Sequence, residues 1–156
     1  MKLLTVGRIA PVKNYDILIR AAKLLTIDFS VTVVGEAALE EDKAYEQRIR
    51  AEGGFHFVGK KNHRELPDIY RSHDLFVHMS GTGSLDKTLL EAMACGMKVL
   101  SCNDAAKAFL PSELIFENAD DLANKIQNYH TNFDGRTYVL EHHDLKKLIA
   151  HISSLL

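Results

Sequence analysis

The 156 residues predict an α/β domain: a three-layer, doubly wound parallel sheet of about six strands. Two patterns carry the prediction. Short apolar, β-rich runs alternate with segments of helical period along the chain, as successive strand–helix–strand units require. Helix stops and starts fall between them, with Gly53-Gly54 as the strongest stop and Asn118 as a good N-cap.

The strands are read at residues 3–6, 30–34, 56–58, 75–79 and 98–101, with a weaker one at 114–116. Between the first two, Leu18, Ala21, Ala22 and Leu25 fall at i, i+3, i+4 and i+7, so a helix from about Tyr15 lays one face on the sheet. Residues 39–51 read as a polar, exposed helix, and a short helix follows near Pro67, presenting Leu66, Ile69 and Tyr70. A helix after Asn118 carries Leu122, Ile126 and Tyr129. Residues 132–135 form a loop, and a last helix repeats Leu145, Leu148, Ile149, Ile152 and Leu156 at core spacing.

Right-handed crossovers suggest the strand order 3-2-1-4-5-6, by analogy with common topologies. Ligands of such sheets lie beyond the carboxyl ends of the strands where the order reverses, here between the first and fourth. That directs attention to residues 7–14 and 80–88.

Composition narrows the function. Apolar residues make up 46%, charged residues 26%, and the formal charge is −2, which fits one buried core and leaves no basic footprint for nucleic acid. A small or phosphorylated ligand suits such a chain better. Cys95 and Cys102, with six residues between them, match no CxxC spacing and read as free thiols. No apolar run approaches the ~18 residues of a membrane span, and residues 1–10 read as strand and turn instead of a signal sequence, so the expected compartment is the cytoplasm.

The first loop, Gly7-Arg8-Ile9-Ala10-Pro11-Val12-Lys13-Asn14, sets two permanent cations within one turn after a buried strand. Arg8 offers a bidentate fork and Lys13 a compact charge, a pair suited to a diphosphate; the alternative is two solvated surface charges. The second loop, Ser80-Gly81-Thr82-Gly83-Ser84-Leu85-Asp86-Lys87-Thr88, is built of small residues and runs into a helix, whose free N–H groups and dipole favour an anion. On that helix Ser84, Thr88 and Glu91 form one polar stripe, and Leu85, Leu89, Ala92 and Gly96 the stripe against the sheet. Glu91 has no evident structural reason there; its two oxygens suit the hydroxyls of a ribose, the alternative being a plain solvated glutamate. His78, ending strand four, either donates to a phosphate or sugar hydroxyl or is a satisfied core residue. His142, His143 and His151 cluster beside the last helix, where metal ligation is not expected. Gly35-Glu36-Ala37 lacks the later glycines of GxGxxG, and no GxxxxGK[ST] occurs.

Several of these segments in order, Val6-Gly7-Arg8 with Lys13-Asn14, Val33-Val34-Gly35, His56-Phe57-Val58-Gly59 and Leu90-Glu91-Ala92-Met93-Ala94-Cys95-Gly96, resemble the C-terminal domain of family 4 (group 1) retaining glycosyltransferases. The resemblance implies one Rossmann-like half of a GT-B fold spanning residues 1–156, the donor-binding domain of an enzyme moving a sugar from a nucleoside diphosphate sugar to an acceptor. It implies catalytic roles for Arg8 and Lys13 on the donor diphosphate and for Glu91 on the ribose. Gly7, His78, Gly83, Ser84, Leu85, Asp86, Lys87 and Thr88 become candidate substrate-binding residues, with no metal ligand and no cofactor beyond the nucleotide sugar. It further implies a missing N-terminal acceptor-binding domain, through which any attachment to the inner membrane face would run. The chain is then a truncated piece or one chain of a split protein, and alone it is expected to bind UDP-, GDP- or ADP-type ligands weakly and transfer nothing. The family usually carries a second glutamate where this sequence has Gly83; Asp86 or Ser84 are the substitutes at hand. A sugar-nucleotide epimerase of related architecture and a non-catalytic nucleotide-sugar-binding module are the other readings.

Overall fold

The computed structural model describes residues 1–144. Five parallel strands, β1 (Lys2–Val6), β2 (Ser30–Val34), β3 (His56–Phe57), β4 (Leu75–His78) and β5 (Lys98–Ser101), form one sheet in the order β3-β2-β1-β4-β5. β1 pairs with both β2 and β4, so the chain reverses its direction of growth at β1 and the crevice opens between β1 and β4.

The expected sixth strand is reduced to a single parallel bridge between Ser101 and Ile115. Residues 112–114 before it are wound into a 3₁₀ turn, and Pro111 opens that turn, which leaves too little extended chain for a ladder.

Six α-helices lie among the described residues: α1 (Tyr15–Ala22), α2 (Lys43–Gly53), α3 (Leu66–Arg71), α4 (Lys87–Ala94), α5 (Ala119–Gln127) and α6 (Gly135–His142). α1 packs on α2 and α5, and α4 on α3 and α6, which makes the two outer layers. The core lies between: Leu3, Leu4, Val33, Phe76, Val77 and Leu100 are wholly buried. Strands covered on both faces need such continuous apolar runs, and each fully buried large apolar side chain contributes about 1.5–3 kcal/mol.

Local chemistry explains the boundaries. α2 is preceded by a 3₁₀ turn at residues 40–42, so it starts later than its polar pattern suggests; of its side chains only Ile49 is fully buried, and Gly54 ends it at φ 62°. The Asn118 side chain accepts from the Asp121 N–H to cap α5, whose end at Gln127 leaves Tyr129 outside, beneath the Lys98 ammonium. The helix expected directly after the loop at residues 132–135 begins there as α6 and ends at His142. Asp134 caps it through the Thr137 N–H, so the loop ends one residue earlier than expected. His142 and His143 pack beside the Tyr138 ring. The core-spaced Leu145, Leu148, Ile149, Ile152 and Leu156 expected of the last helix, with His151, lie outside the described residues.

Candidate functional site

The loop after β1 is bound to the loop after β2 by backbone: the Gly7 N–H donates to Val34 O (2.9 Å) and the Ile9 N–H to Glu36 O (3.1 Å). The approach is so close that a Cβ on Gly35, at φ +134°, would stand 2.0 Å from the Gly7 carbonyl oxygen, so only glycine serves there. Residues 11–13 then form a 3₁₀ turn closed by Asn14 at φ 51°, the only left-handed residue other than glycine among those described. This turn carries Lys13 toward β4.

Lys13 Nζ meets Asp86 Oδ2, so the two loops singled out in the sequence join at one carboxylate. Asp86 is the N-cap of α4: its Oδ1 accepts from the Thr88 N–H (3.2 Å) and from Thr88 Oγ1 (3.0 Å). His78 Nε2 stands 3.2 Å from Asp86 Oδ2, at ion-pair distance but without the alignment of a hydrogen bond. On its other side His78 Nδ1 contacts Ser101 Oγ at 3.0 Å, and the ring is 4% exposed. His78 and Lys13 hold the Asp86 carboxyl far below the usual range against the opposing effect of burial. With both oxygens engaged, Asp86 reads as a cap and counter-ion and not as a free sugar acceptor.

Arg8 lies apart from this cluster. Its Nε is 3.8 Å from Asp42 Oδ2, and its side chain is 41% exposed. Asp42 is buried, and that oxygen has no hydrogen-bond partner, so the guanidinium supplies its compensating charge. A cavity of about 400 Å³ opens beside Arg8 at the carboxyl ends of β1 and β2, lined also by Lys60, Lys61 and Leu66. A larger one of about 1180 Å³ lies at the amino end of β5, away from the crevice and from every candidate residue.

Glu91 sits one turn into α4, where its Oε2 accepts from Tyr70 Oη at 3.0 Å. The sequence offered no structural reason for Glu91, and Tyr70 supplies one. Tyr70 is buried, and burial first, then the Glu91 charge, pushes its phenol well above the usual range. Because α4 begins at Lys87, Ser84 and Leu85 belong to the loop and not to the helical stripes expected of them; the buried face is Leu89, Ala92 and Met93, while Gly96 is exposed beyond the helix end. Lys87 is exposed, and nothing lies within 4 Å of where a Cβ on Gly83 would stand.

Asn103 escaped the sequence reading. Wholly buried beyond β5, its Nδ2 donates to the carbonyls of Ser80 (3.1 Å), Thr82 (2.7 Å) and Ser84 (3.0 Å). The rule placing ligands beyond strand carboxyl ends points to the loop after β5 as well, and that signal would have found it.

Fold and crevice together define a doubly wound half-domain with cations, a helix N-terminus and a carboxylate around its switch point. Residues 1–132 match the family model of glycosyl transferases group 1, and the chain belongs to that family. It is 26% identical over 147 residues, 93% of its length, to N-acetylgalactosamine-N,N'-diacetylbacillosaminyl-diphospho-undecaprenol 4-alpha-N-acetylgalactosaminyltransferase of Campylobacter jejuni, spanning 39% of that protein. It is 35% identical over 107 residues to the D-inositol 3-phosphate glycosyltransferase of an Arthrobacter species, covering 64% of this chain and 25% of the relative. The chain thus spans well under half the length of these curated relatives. Its fold matches Anabaena HepE in complex with UDP-glucose (TM-score 0.82, 22% identity, 99% of this chain and 49% of that one). It also matches the C-terminal domain of the group 1 family protein LpcC from Francisella tularensis (TM-score 0.75, 23% identity, 92% and 86%). The architecture is therefore one Rossmann-like half of a GT-B fold. No described helix is long and apolar enough to cross a membrane, and no group of three or more His, Cys, Asp and Glu among the described residues could hold a metal ion.

Proposed function

We propose that the chain is the donor-binding, C-terminal half of a retaining hexosyltransferase, taking a nucleoside diphosphate sugar and working with an acceptor-binding domain opposite it. The observation that carries this reading is the meeting of Lys13 with the α4 cap at Asp86, which brings a cation to a helix N-terminus at the switch point of the sheet, with Glu91 one turn further along that helix. Arg8 borders the adjoining cavity, whose cationic lining of Arg8, Lys60 and Lys61 suits the phosphates of the donor. HepE, of the same fold, is known in complex with UDP-glucose and with UDP, which supports a nucleotide-sugar ligand.

In transfer, the bond from the anomeric carbon to the β-phosphate oxygen breaks, and the acceptor oxygen bonds to that carbon as its proton passes to the departing phosphate oxygen. The electron pair stays on the departing diphosphate. Arg8, Lys13 and the N–H groups before α4 stabilise that charge, and removing one such preorganised contact costs about 10²-fold or more in rate. Glu91, already held by Tyr70, accepts the ribose hydroxyls.

Calorimetry of the folded chain with UDP, GDP and ADP tests the reading. One of them binds weakly; no binding at millimolar ligand overturns it. Glu91→Ala weakens the bound nucleoside diphosphate about tenfold or more and leaves pyrophosphate nearly unchanged, the loss expected for a charged hydrogen-bond acceptor. Equal losses for both ligands would remove Glu91 from the ribose.

A further inference from the structure

We infer that Asn103 is the positioning residue of the crevice: from beneath residues 80–84 it turns their peptide N–H groups toward the donor's phosphates. The inference deepens the nucleotide-sugar reading and rests on it.

The geometry follows from the peptide unit. In a trans peptide the carbonyl of one residue and the N–H of the next point in opposite directions, and there is no cis bond among the described residues. The carbonyls of Ser80, Thr82 and Ser84 all converge on the single Nδ2 of Asn103. The N–H groups of Gly81, Gly83 and Leu85 are therefore turned away from it. Asn103 is fully buried while Gly81 and Gly83 are exposed, so away from Asn103 is outward. Among the described residues, none of the N–H groups of residues 81–86 donates to a protein acceptor. A row of backbone donors just before a helix N-terminus suits an anion, and it spends no charged side chain.

Asn103 is itself fixed. Its Oδ1 accepts from the Ala106 N–H (3.1 Å) and its own N–H donates to Ser101 Oγ (3.1 Å), the atom that also meets His78 Nδ1. An amide nitrogen has two hydrogens, so the three carbonyls share them, and the arrangement tolerates neither an acceptor nor a shorter side chain. Aspartate would set oxygen against three carbonyl oxygens; serine would leave them without a donor.

The test is an NMR titration of the wild-type chain, Asn103→Ser and Asn103→Asp with whichever of UDP, GDP and ADP binds wild type, and separately with its nucleoside. Loss of the staple lowers diphosphate affinity at least tenfold, changes nucleoside affinity less than twofold, and speeds amide exchange at residues 81–86. A general loss of fold lowers both affinities alike. Equal losses for the two ligands in a variant whose spectrum shows it folded, or a diphosphate affinity that survives in a loop shown to exchange freely, overturn the inference. Should neither variant fold, wild type still decides: bound diphosphate shifts the Gly81, Gly83 and Leu85 amide resonances, and binding that leaves all three unmoved overturns it. If wild type binds no nucleoside diphosphate, the donor-binding reading fails first, and exchange in Asn103→Ser alone then shows whether Asn103 holds the loop.

Discussion

Residues 10–14 and residues 80–84 both bend the chain beyond the carboxyl end of a strand, yet they keep their shapes by different means. The first is closed by its own backbone, Lys13 N–H to Ala10 O and Asn14 N–H to Pro11 O, both 2.9 Å, with Asn14 taking the left-handed conformation. The second is held by one amide from 19 to 23 residues away. A locally closed loop can be altered by changing one of its own residues. A tertiary one answers to a residue that no inspection of the loop reveals.

The largest effect tests the local side. Asn14→Val puts a β-branched residue at φ 51° and should destabilise the chain by about 2 kcal/mol in urea unfolding, whereas Asn14→Gly should stay close to wild type. Equal midpoints for valine and wild type would show that the turn is not held by its own backbone.

A smaller effect belongs to the junction of the two loops. Asp86→Ala removes the α4 cap at a cost of about 1 kcal/mol. Asp86→Asn keeps a competent cap and loses only the charge. The Asp86 carboxyl is held below its ordinary 3.8, so its ionic contribution is complete above that pH and is lost as the pH falls further below it. Urea midpoints of wild type and Asp86→Asn should therefore differ at pH 7 and draw together below pH 3.8. A gap that widens in acid contradicts the pairing.

The smallest change is Gly83→Glu. With open space where its Cβ would stand and no positive φ, the substitution should move stability by less than about 0.5 kcal/mol. It should strengthen binding of a nucleotide sugar relative to its nucleoside diphosphate, the added carboxylate meeting sugar hydroxyls. A large destabilisation would mean that the Asn103 staple, and not the ligand, dictates glycine at this position.

This contrast also governs what the sequence revealed. β1, β2, β4 and β5 are legible because strands covered on both faces read as short apolar runs, whatever their partners. The sixth strand was overread from the run ending at Phe116, where a 3₁₀ turn wins locally, and the core spacing read for the last helix lies wholly beyond α6, which starts at a glycine and buries only Val139. In the crevice, Arg8, Lys13 and Glu91 are visible through residue type and spacing. Their partners Asp42, Asp86 and Tyr70 lie far along the chain or, like Asp86, looked available for another task. Asn103 could be reached only through topology, since nothing in residues 80–84 names the side chain beneath them.

The carboxylate pairing of the two cations has a kinetic consequence. Arg8 faces Asp42 and Lys13 faces Asp86, so these two cations project little field of their own into solvent. Paired in this way, they add little to the long-range attraction of an approaching anion or to the salt dependence of its encounter rate. In the proposed donor complex their attraction switches on at contact, when phosphates come within reach of cations that must loosen their hold on their own carboxylates. Selection in this crevice therefore falls on how long a ligand stays and not on how fast it is found.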